Sequence, residues 1–377
     1  MNQISELEVR GYKSIRHQCI QMGPLNVLIG ANGSGKSNLV SFFKMLNFAM
    51  TDSLSLFVAR SGGGDGLLYY GAKNTPQLVG RFVFETTSGT NTYCMRLVHG
   101  GGDCMIFADE SIDFRSHADK NAHEPQSLGA GHKETALPEA AAQASMTADV
   151  IKKMMDRWKF FQFHDTSDEA KIRQSGYIKD TRYLRADGGN LAAFLHKLKL
   201  TKPEHYMRIV ATIRMAAPFF GDFVLAPDEL NSQIIRLNWQ ERGADMLFGP
   251  HQLSDGTLRF MALATLLLQP RETLPGVLVI DEPELGLHPY AITLLGSLLH
   301  AASENVQIVV STQSTELLDQ FDPEDIIVVE RTQEEGSATR YESVFRRLDS
   351  EQLKEWLQDY SLSELWNKNV LGGRPSR

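Results

Sequence analysis

The chain opens with apolar and polar positions in strand-like order. Residues 4–9 (ISELEV) alternate, 19–22 (CIQM) form a short run, and Leu25–Ile29 (LNVLI) is a compact β run that ends in glycine. From Ser37 the period changes: Leu39, Phe42, Phe43, Leu46, Ala49 and Met50 recur at helical spacing. Gly80–Glu85 and Thr92–Leu97 predict antiparallel strands, with glycine-rich turns at 61–66 and 99–103. Neither glycine run has the strand–GxGxxG–helix setting of a dinucleotide site. Residues 116–145 show weak periodicity and predict a mobile or partly helical insertion, and Lys159–His164 is a strand candidate. Leu191, Ala192, Phe194, Leu195 and Leu198 mark one helix, and a second is expected from about Lys202 to Met215. No heptad is sustained across this middle third. The chain then alternates: strand Val277–Ile280, helix from Pro289, strand Gln307–Val310, helix Thr315–Phe321, strand Asp325–Val329. Such alternation predicts an α/β fold with a mainly parallel core sheet, joined here to an antiparallel β lobe and an inserted helical lobe. Four units are expected: 1–115, a basic and mainly helical 116–250, 251–348, and a helical tail 349–377. In the tail, Ser361 and Glu364 form a capping-box pattern before Leu365 and Trp366. Leu353, Trp356 and Leu357 make an apolar stripe that suits either the chain's own sheet or a partner.

Composition narrows the class. At 377 residues, 42% apolar and 22% charged, the chain can bury a real core, so wholesale disorder is excluded. The longest apolar stretch, Phe260–Leu268, contains Thr265 and is far short of the ~20 residues that span a bilayer. The start, MNQISELEVR, has no secretory pattern, and Cys19, Cys94 and Cys104 form no CxxC pair. A cytoplasmic protein without membrane partner, zinc site or disulfide framework is expected. Net charge is −8, so bulk charge does not coat nucleic acid. The charge is segregated, however: Lys152–Arg214 holds 14 Lys and Arg against 7 Asp and Glu, a local +7 that leaves −15 elsewhere. That segment is either a solvated helical surface or a face for DNA, RNA or an acidic partner, with Lys171, Arg173, Lys179, Arg182 and Arg185 at its centre.

Two motifs carry chemistry. Gly30–Ser37 reads GANGSGKS and fits GxxxxGK[ST] at every fixed position, with a strand before it and an amphipathic helix after it. Glycines let successive N–H groups close on a phosphate, and the helix N-terminus adds its positive end. Asn32, Gly33, Ser34, Gly35, Lys36, Ser37 and Asn38 are therefore the candidate ATP cradle. Lys36 is suited to the β and γ phosphates, and the Ser37 hydroxyl to Mg²⁺. The second motif, Gly276–Pro289 (GVLVIDEPELGLHP), is an apolar strand that stops at two acids. Carboxyl ends of parallel strands are where α/β folds bind ligands. Asp281 is suited to the Mg²⁺ shell, and Glu282 to polarising a water for attack on the γ phosphate.

With these motifs in place, the chain resembles an ABC-type ATPase head of the SMC/RecF/OLD class. Leu253–Thr257 (LSDGT) resembles the ABC signature, EPELGLHP resembles the D-loop, and Leu7–Ser14 (LEVRGYKS) resembles the opening strand of SMC-like heads. The resemblance implies roles for Lys13 beside the nucleotide, for Ser254 and Gly256 facing the opposite subunit's γ phosphate, and for Gln313 where the class carries a switch histidine. Ser254 or Asp255 also reads as a plain helix N-cap. Gln162 and His164 are both candidates for the glutamine loop. The chain most resembles bacterial stand-alone AAA-type ATPases with ABC-like heads, on LSDGT, DEPELGLHP, RYLRADGGNLAAFL and LWNKNVLGGRP. The resemblance implies a slow ATPase with Mg²⁺ that forms an ATP-dependent head-to-tail homodimer or higher oligomer. It also implies control of a separate effector in anti-phage defence, with a TOPRIM-type nuclease one candidate. Only 47 residues follow Glu330, so a nuclease is expected from another chain. A RecF-like DNA-repair ATPase is the alternative. A transporter subunit is disfavoured by the 218 residues between Lys36 and Ser254.

Overall fold

The computed structural model describes residues 3–118, 124–163 and 165–373. Two six-stranded sheets organise it. The core sheet takes its strands in the order Tyr341–Arg347, Ile326–Gln333, Leu25–Ile29, Gln307–Thr312, Val277–Asp281, Trp158–Phe161. Five of the six run parallel; Tyr341–Arg347 is the antiparallel edge. Leu25–Ile29 is buried at every position, as a central parallel strand covered on both faces must be. The other sheet is antiparallel throughout and runs Ile15–Gln21, Gln3–Tyr12, Gln77–Glu85, Gly89–Gly100, Cys104–Ser116, Gln126–Gly129.

The helix Lys36–Ala49 lies between the sheets. Leu39, Phe42, Phe43 and Leu46 are each at most 1% exposed. Phe42 stacks on Phe82 of the antiparallel sheet, while Phe43 meets Trp158 of the core sheet edge. The expected sequence period therefore becomes a two-sided apolar helix, because it is covered from both directions. On the other face of the core sheet, Asp255–Leu268 is buried along most of its length and packs with Pro203–Ala216 and Pro289–Ser303.

The segment 116–250 does not gather into one helical body. Gln126–Gly129 adds to the antiparallel sheet, and Leu137, Ala148 and Ile151 join that sheet's core. Trp158–Phe161 closes one edge of the core sheet, and Leu191–Thr201 and Pro203–Ala216 join its far-side core. Phe220–Val224, Asn238–Glu241 and Leu247–Phe248 make a separate three-stranded sheet. Local periodicity identified the helices Leu191–Thr201 and Pro203–Ala216, but not Met146–Met155, nor which core each one completes. In the tail, the Ser361–Glu364 capping box forms, and Leu362, Leu365 and Trp366 are buried. Trp356 is not: it is 46% exposed, so the apolar stripe splits between Leu353 in the core and Trp356 at the surface. Among the described residues no helix is long and apolar enough to cross a membrane.

Candidate functional site

Three neighbouring strands end level with one another. Ile29 pairs with Thr312, and Ser311 pairs with Asp281, so the phosphate loop and the two acids emerge from the same edge with Gln307–Thr312 between them. Gly33 and Gly35 have φ of +78° and +112°, a region that side chains avoid, and a Cβ on Gly35 would also strike Ser14 and Ser343. Lys36 is 5% exposed, and its ammonium donates to the carbonyls of Gly30 (2.6 Å) and Ala31 (3.3 Å). Burial pulls its pKa down, against the opposing pull of Glu282, Asp281 and Glu284. Ser37 is exposed at the first turn of the helix, and Asn32 and Gly33 are exposed on the loop. Asn38 donates instead to Ser14 Oγ (2.6 Å), Ser14 bonds Ser343 Oγ (2.6 Å), and Ser343 donates to the Ser34 carbonyl (2.6 Å). This chain of hydroxyls ties the first strands and the sheet's antiparallel edge to the loop. Lys13, at φ +48°, donates to Ser41 Oγ (2.7 Å), one turn beyond Ser37. Burial and the nearby Lys44 lower its pKa.

Around Asp281 the arrangement is equally specific. Gln162 Nε2 donates to Asp281 Oδ2 (3.0 Å) and Gln162 Oε1 accepts from Lys44 (2.9 Å). Of the two glutamine-loop candidates, Gln162 thus reaches the carboxylate; His164 lies outside the described residues. Glu282 holds φ +43°, a left-handed conformation that costs about 1–2 kcal/mol, and Gln313 Nε2 donates to its carboxylate. Gln313 is placed by a second acid that sequence inspection passed over. Glu284, 8% exposed, accepts from Thr312 Oγ1 (2.5 Å) and from the Gln313 amide (3.2 Å), and burial raises its pKa. The signal was present in the sequence, in the second glutamate of DEPE.

Ser254 caps the helix Asp255–Leu268 and accepts from Thr257 N (3.2 Å); it is exposed. A Cβ on Gly256 would collide with the Gly286 carbonyl, so the segment Leu253–Thr257 rests on the turn that follows Asp281 in its own chain. Among the described residues no hydrogen bond joins Ser254 or Gly256 to the phosphate loop. Arg173 is not a surface cation as expected. It is 4% exposed and donates to the carbonyls of Thr166 (2.7 Å), Leu253 (3.2 Å) and Pro250 and to Asp255 (2.7 Å), bracing Leu253–Thr257 from within the fold. Lys171 pairs with Asp187, and Arg185 lies near Asp180 and Asp187. Lys179 and Arg182 stay exposed, Arg182 over the ring of Tyr183. Arg182 lines a cleft of about 690 Å³ with Lys44, Lys159, Gln162, Tyr183 and Asp187.

The residues present fit Mg-ATP. Ser34 Oγ, Ser311 Oγ and Glu284 Oε2 are buried without a hydrogen-bond partner, and all three belong to the loop or to the strand ends beside it. A serine hydroxyl with a carboxylate is the hard-oxygen donor set that Mg²⁺ takes.

A family model described as "AAA domain, putative AbiEii toxin, Type IV TA system" matches residues 25–93 and 166–319, together 223 of the 377 residues. No curated protein matches. Among solved structures, an SMC head bound to the C-terminal winged-helix domain of ScpA aligns with TM-score 0.59 at 17% identity, covering 93% of this chain and 99% of that one. A second, the Smc head with an extended coiled coil bound to the C-terminal domain of ScpA derived from Pyrococcus furiosus, aligns at 0.58 and 15% identity, covering 95% and 99%. The fold is that of an SMC-type head.

Proposed function

The chain belongs to this AAA-domain family, and from that premise we propose that it binds Mg-ATP and hydrolyses it slowly. The observation that carries the proposal is the convergence of Lys36, Asp281 and the Glu282–Gln313 pair at the ends of three adjacent strands. When bound, Mg²⁺ would screen the phosphate charge; Ser37 and Asp281 would hold it, and Gln162 would orient Asp281. Glu282 accepts the proton of the attacking water, Gln313 fixes the direction of its carboxylate, and Lys36 leaves its loop carbonyls for the phosphates. Catalysis of this kind is positioning plus charge, which suits a site built from fixed strand ends.

Head-to-tail pairing is part of the proposal. Ser254 and Gly256 make no hydrogen bond to their own loop among the described residues, and they stand at the start of a 14-residue helix whose N-terminus suits a phosphate offered by a second copy. The biological role proposed is a switch that controls a separate effector in anti-phage defence, a nuclease being the favoured class. The family's description names a "putative AbiEii toxin, Type IV TA system", which suits a chain that works with a partner, and two SMC heads of this fold carry a ScpA domain, so such heads can hold a second protein. A RecF-like role with direct DNA binding is the second reading. Exposed Lys179 and Arg182 favour it, while buried Arg173 removes one cation from that face.

The test uses Glu282→Gln, which keeps the Mg²⁺ ligands and deletes the proton acceptor. It is expected to retain ATP, lose at least about a hundredfold in turnover, and double its mass by light scattering when ATP is added. Turnover at the parent rate sinks the catalytic assignment. An unchanged mass with bound ATP sinks the pairing.

A further inference from the structure

The phosphate loop is held from outside by a segment 342 residues further along the chain. The Ala31 amide donates to the Gly373 carbonyl at 3.1 Å. The Gly373 amide donates to the Glu330 carboxylate, and the Arg346 guanidinium donates to the Leu371 carbonyl at 2.6 Å. Leu371 is 1% exposed, so the segment is anchored in the core. Gly372 and Gly373 have φ of +79° and +82°. A Cβ on Gly373 would lie 2.6 Å from the Trp366 ring and 2.9 Å from Val328, so both backbone and space require glycine there.

Ala31 is the joint. Its carbonyl accepts from the Ser34 amide (3.1 Å) and from Lys36 (3.3 Å), beside the Gly30 carbonyl that also holds Lys36. Glu330 stands on the strand next to the loop's own strand, two residues beyond the Val328–Ile29 pairing. The peptide that steers Lys36 is thus fixed on one side by the loop and on the other by the tail.

We propose that the turn Asn369–Gly373, with Glu330 and Arg346, positions the phosphate loop for nucleotide. These groups touch no phosphate; they act through Ala31. A loop backbone already tied at Ala31 loses less entropy when nucleotide binds, so the device sets ATP affinity rather than the chemical step. The proposal rests on the ATP-binding function above.

The test compares the full-length parent with Glu330→Ala, Glu330→Gln and Gly373→Ala. Readouts are the dissociation constant of a fluorescent ATP analogue with Mg²⁺, KM and kcat for ATP, and the thermal midpoint. Glu330→Ala deletes the acceptor for the Gly373 amide and is expected to weaken binding and raise KM about five- to tenfold, with kcat within about twofold. Glu330→Gln keeps an acceptor oxygen and is expected to bind like the parent. Gly373→Ala should match Glu330→Ala; if it does not fold, the two Glu330 variants decide. Parent-like affinity in Glu330→Ala overturns the proposal while leaving the ATPase intact. So does a Glu330→Gln variant as weak as Glu330→Ala. A parent chain that binds no analogue overturns the ATPase function and this proposal together.

Discussion

The edge that carries Gly30–Ser37 and Asp281–Gln313 contrasts with the basic stretch Lys152–Arg214. Both stood out in the sequence. At the first, contiguous residues act as contiguous residues: the loop wraps itself, and the acids stand where their strand stops. At the second, the count of cations says nothing about where each one goes. Arg173 is buried behind the signature, Lys171 and Arg185 face Asp187, and Lys179 and Arg182 remain open. A motif keeps its members together because they are covalent neighbours, and Gly373 and Ser343 brace the loop from outside. A charge balance is a sum, and folding separates its members.

The largest expected effect tests the motif side. Lys36 is the one cation inside the loop, and its ammonium lies on the carbonyls of Gly30 and Ala31. Lys36→Ala should weaken ATP binding by about a hundredfold or more, read by calorimetry or a fluorescent analogue, while the fold persists. Affinity within threefold of the parent would break the contrast, since the most contiguous site would then not be the functional one.

Next comes the basic stretch, where two arginines nine residues apart should behave as opposites. Arg173→Ala strips donors from three buried carbonyls and frees Asp255, a loss of about 2–4 kcal/mol in unfolding free energy. Signature-dependent turnover should fall with it. Arg182→Glu, by contrast, should leave the thermal midpoint and basal turnover unchanged and affect only binding of an anionic partner, with a steep salt dependence if that partner is DNA. Equal destabilisation by both would return the stretch to an undifferentiated surface.

How much was legible follows the same division. The strands Leu25–Ile29 and Val277–Asp281, the helix Lys36–Ala49 and the Ser361 capping box are set by residues within a few positions of one another, and periodicity found them. The Ser14–Ser343–Ser34 hydroxyl chain and the Gly373–Ala31 bond join positions more than 300 residues apart, and no local pattern encodes such a pairing. Gln162 and His164 could not be told apart in sequence because the choice depends on which one the register of Ile280 with Phe161 sets beside Asp281. Glu284 was missed for another reason. Its neighbours Asp281 and Glu282 already accounted for the acids in that motif, and burial, which distinguishes it, is not written in the local sequence.

Glu284 therefore gives the finest test of the motif side, because its effect is small and its sign is fixed. Burial raises its pKa above the ordinary 4.5, helped by the charge of Glu282, while Thr312 and the Gln313 amide pull the other way and do not win. A folded-state pKa above the unfolded one means that the folded protein holds the proton more tightly. The stability this contributes is complete below about pH 4.5 and is lost as pH rises through the folded value. At neutral pH the carboxylate is thus a cost that the fold carries. Glu284→Gln removes that cost and keeps an oxygen to accept from Thr312 and Gln313. The variant should unfold at a slightly higher temperature than the parent at pH 7.5. The difference should shrink as pH falls toward 5, read from thermal midpoints across that range. Gln313 would keep its place, so turnover at neutral pH should stay within about threefold of the parent. A variant less stable than the parent at pH 7.5 would mean that the ionised carboxylate holds the Thr312–Gln313 turn. The second glutamate of the motif would then be a charge the site requires rather than one it tolerates.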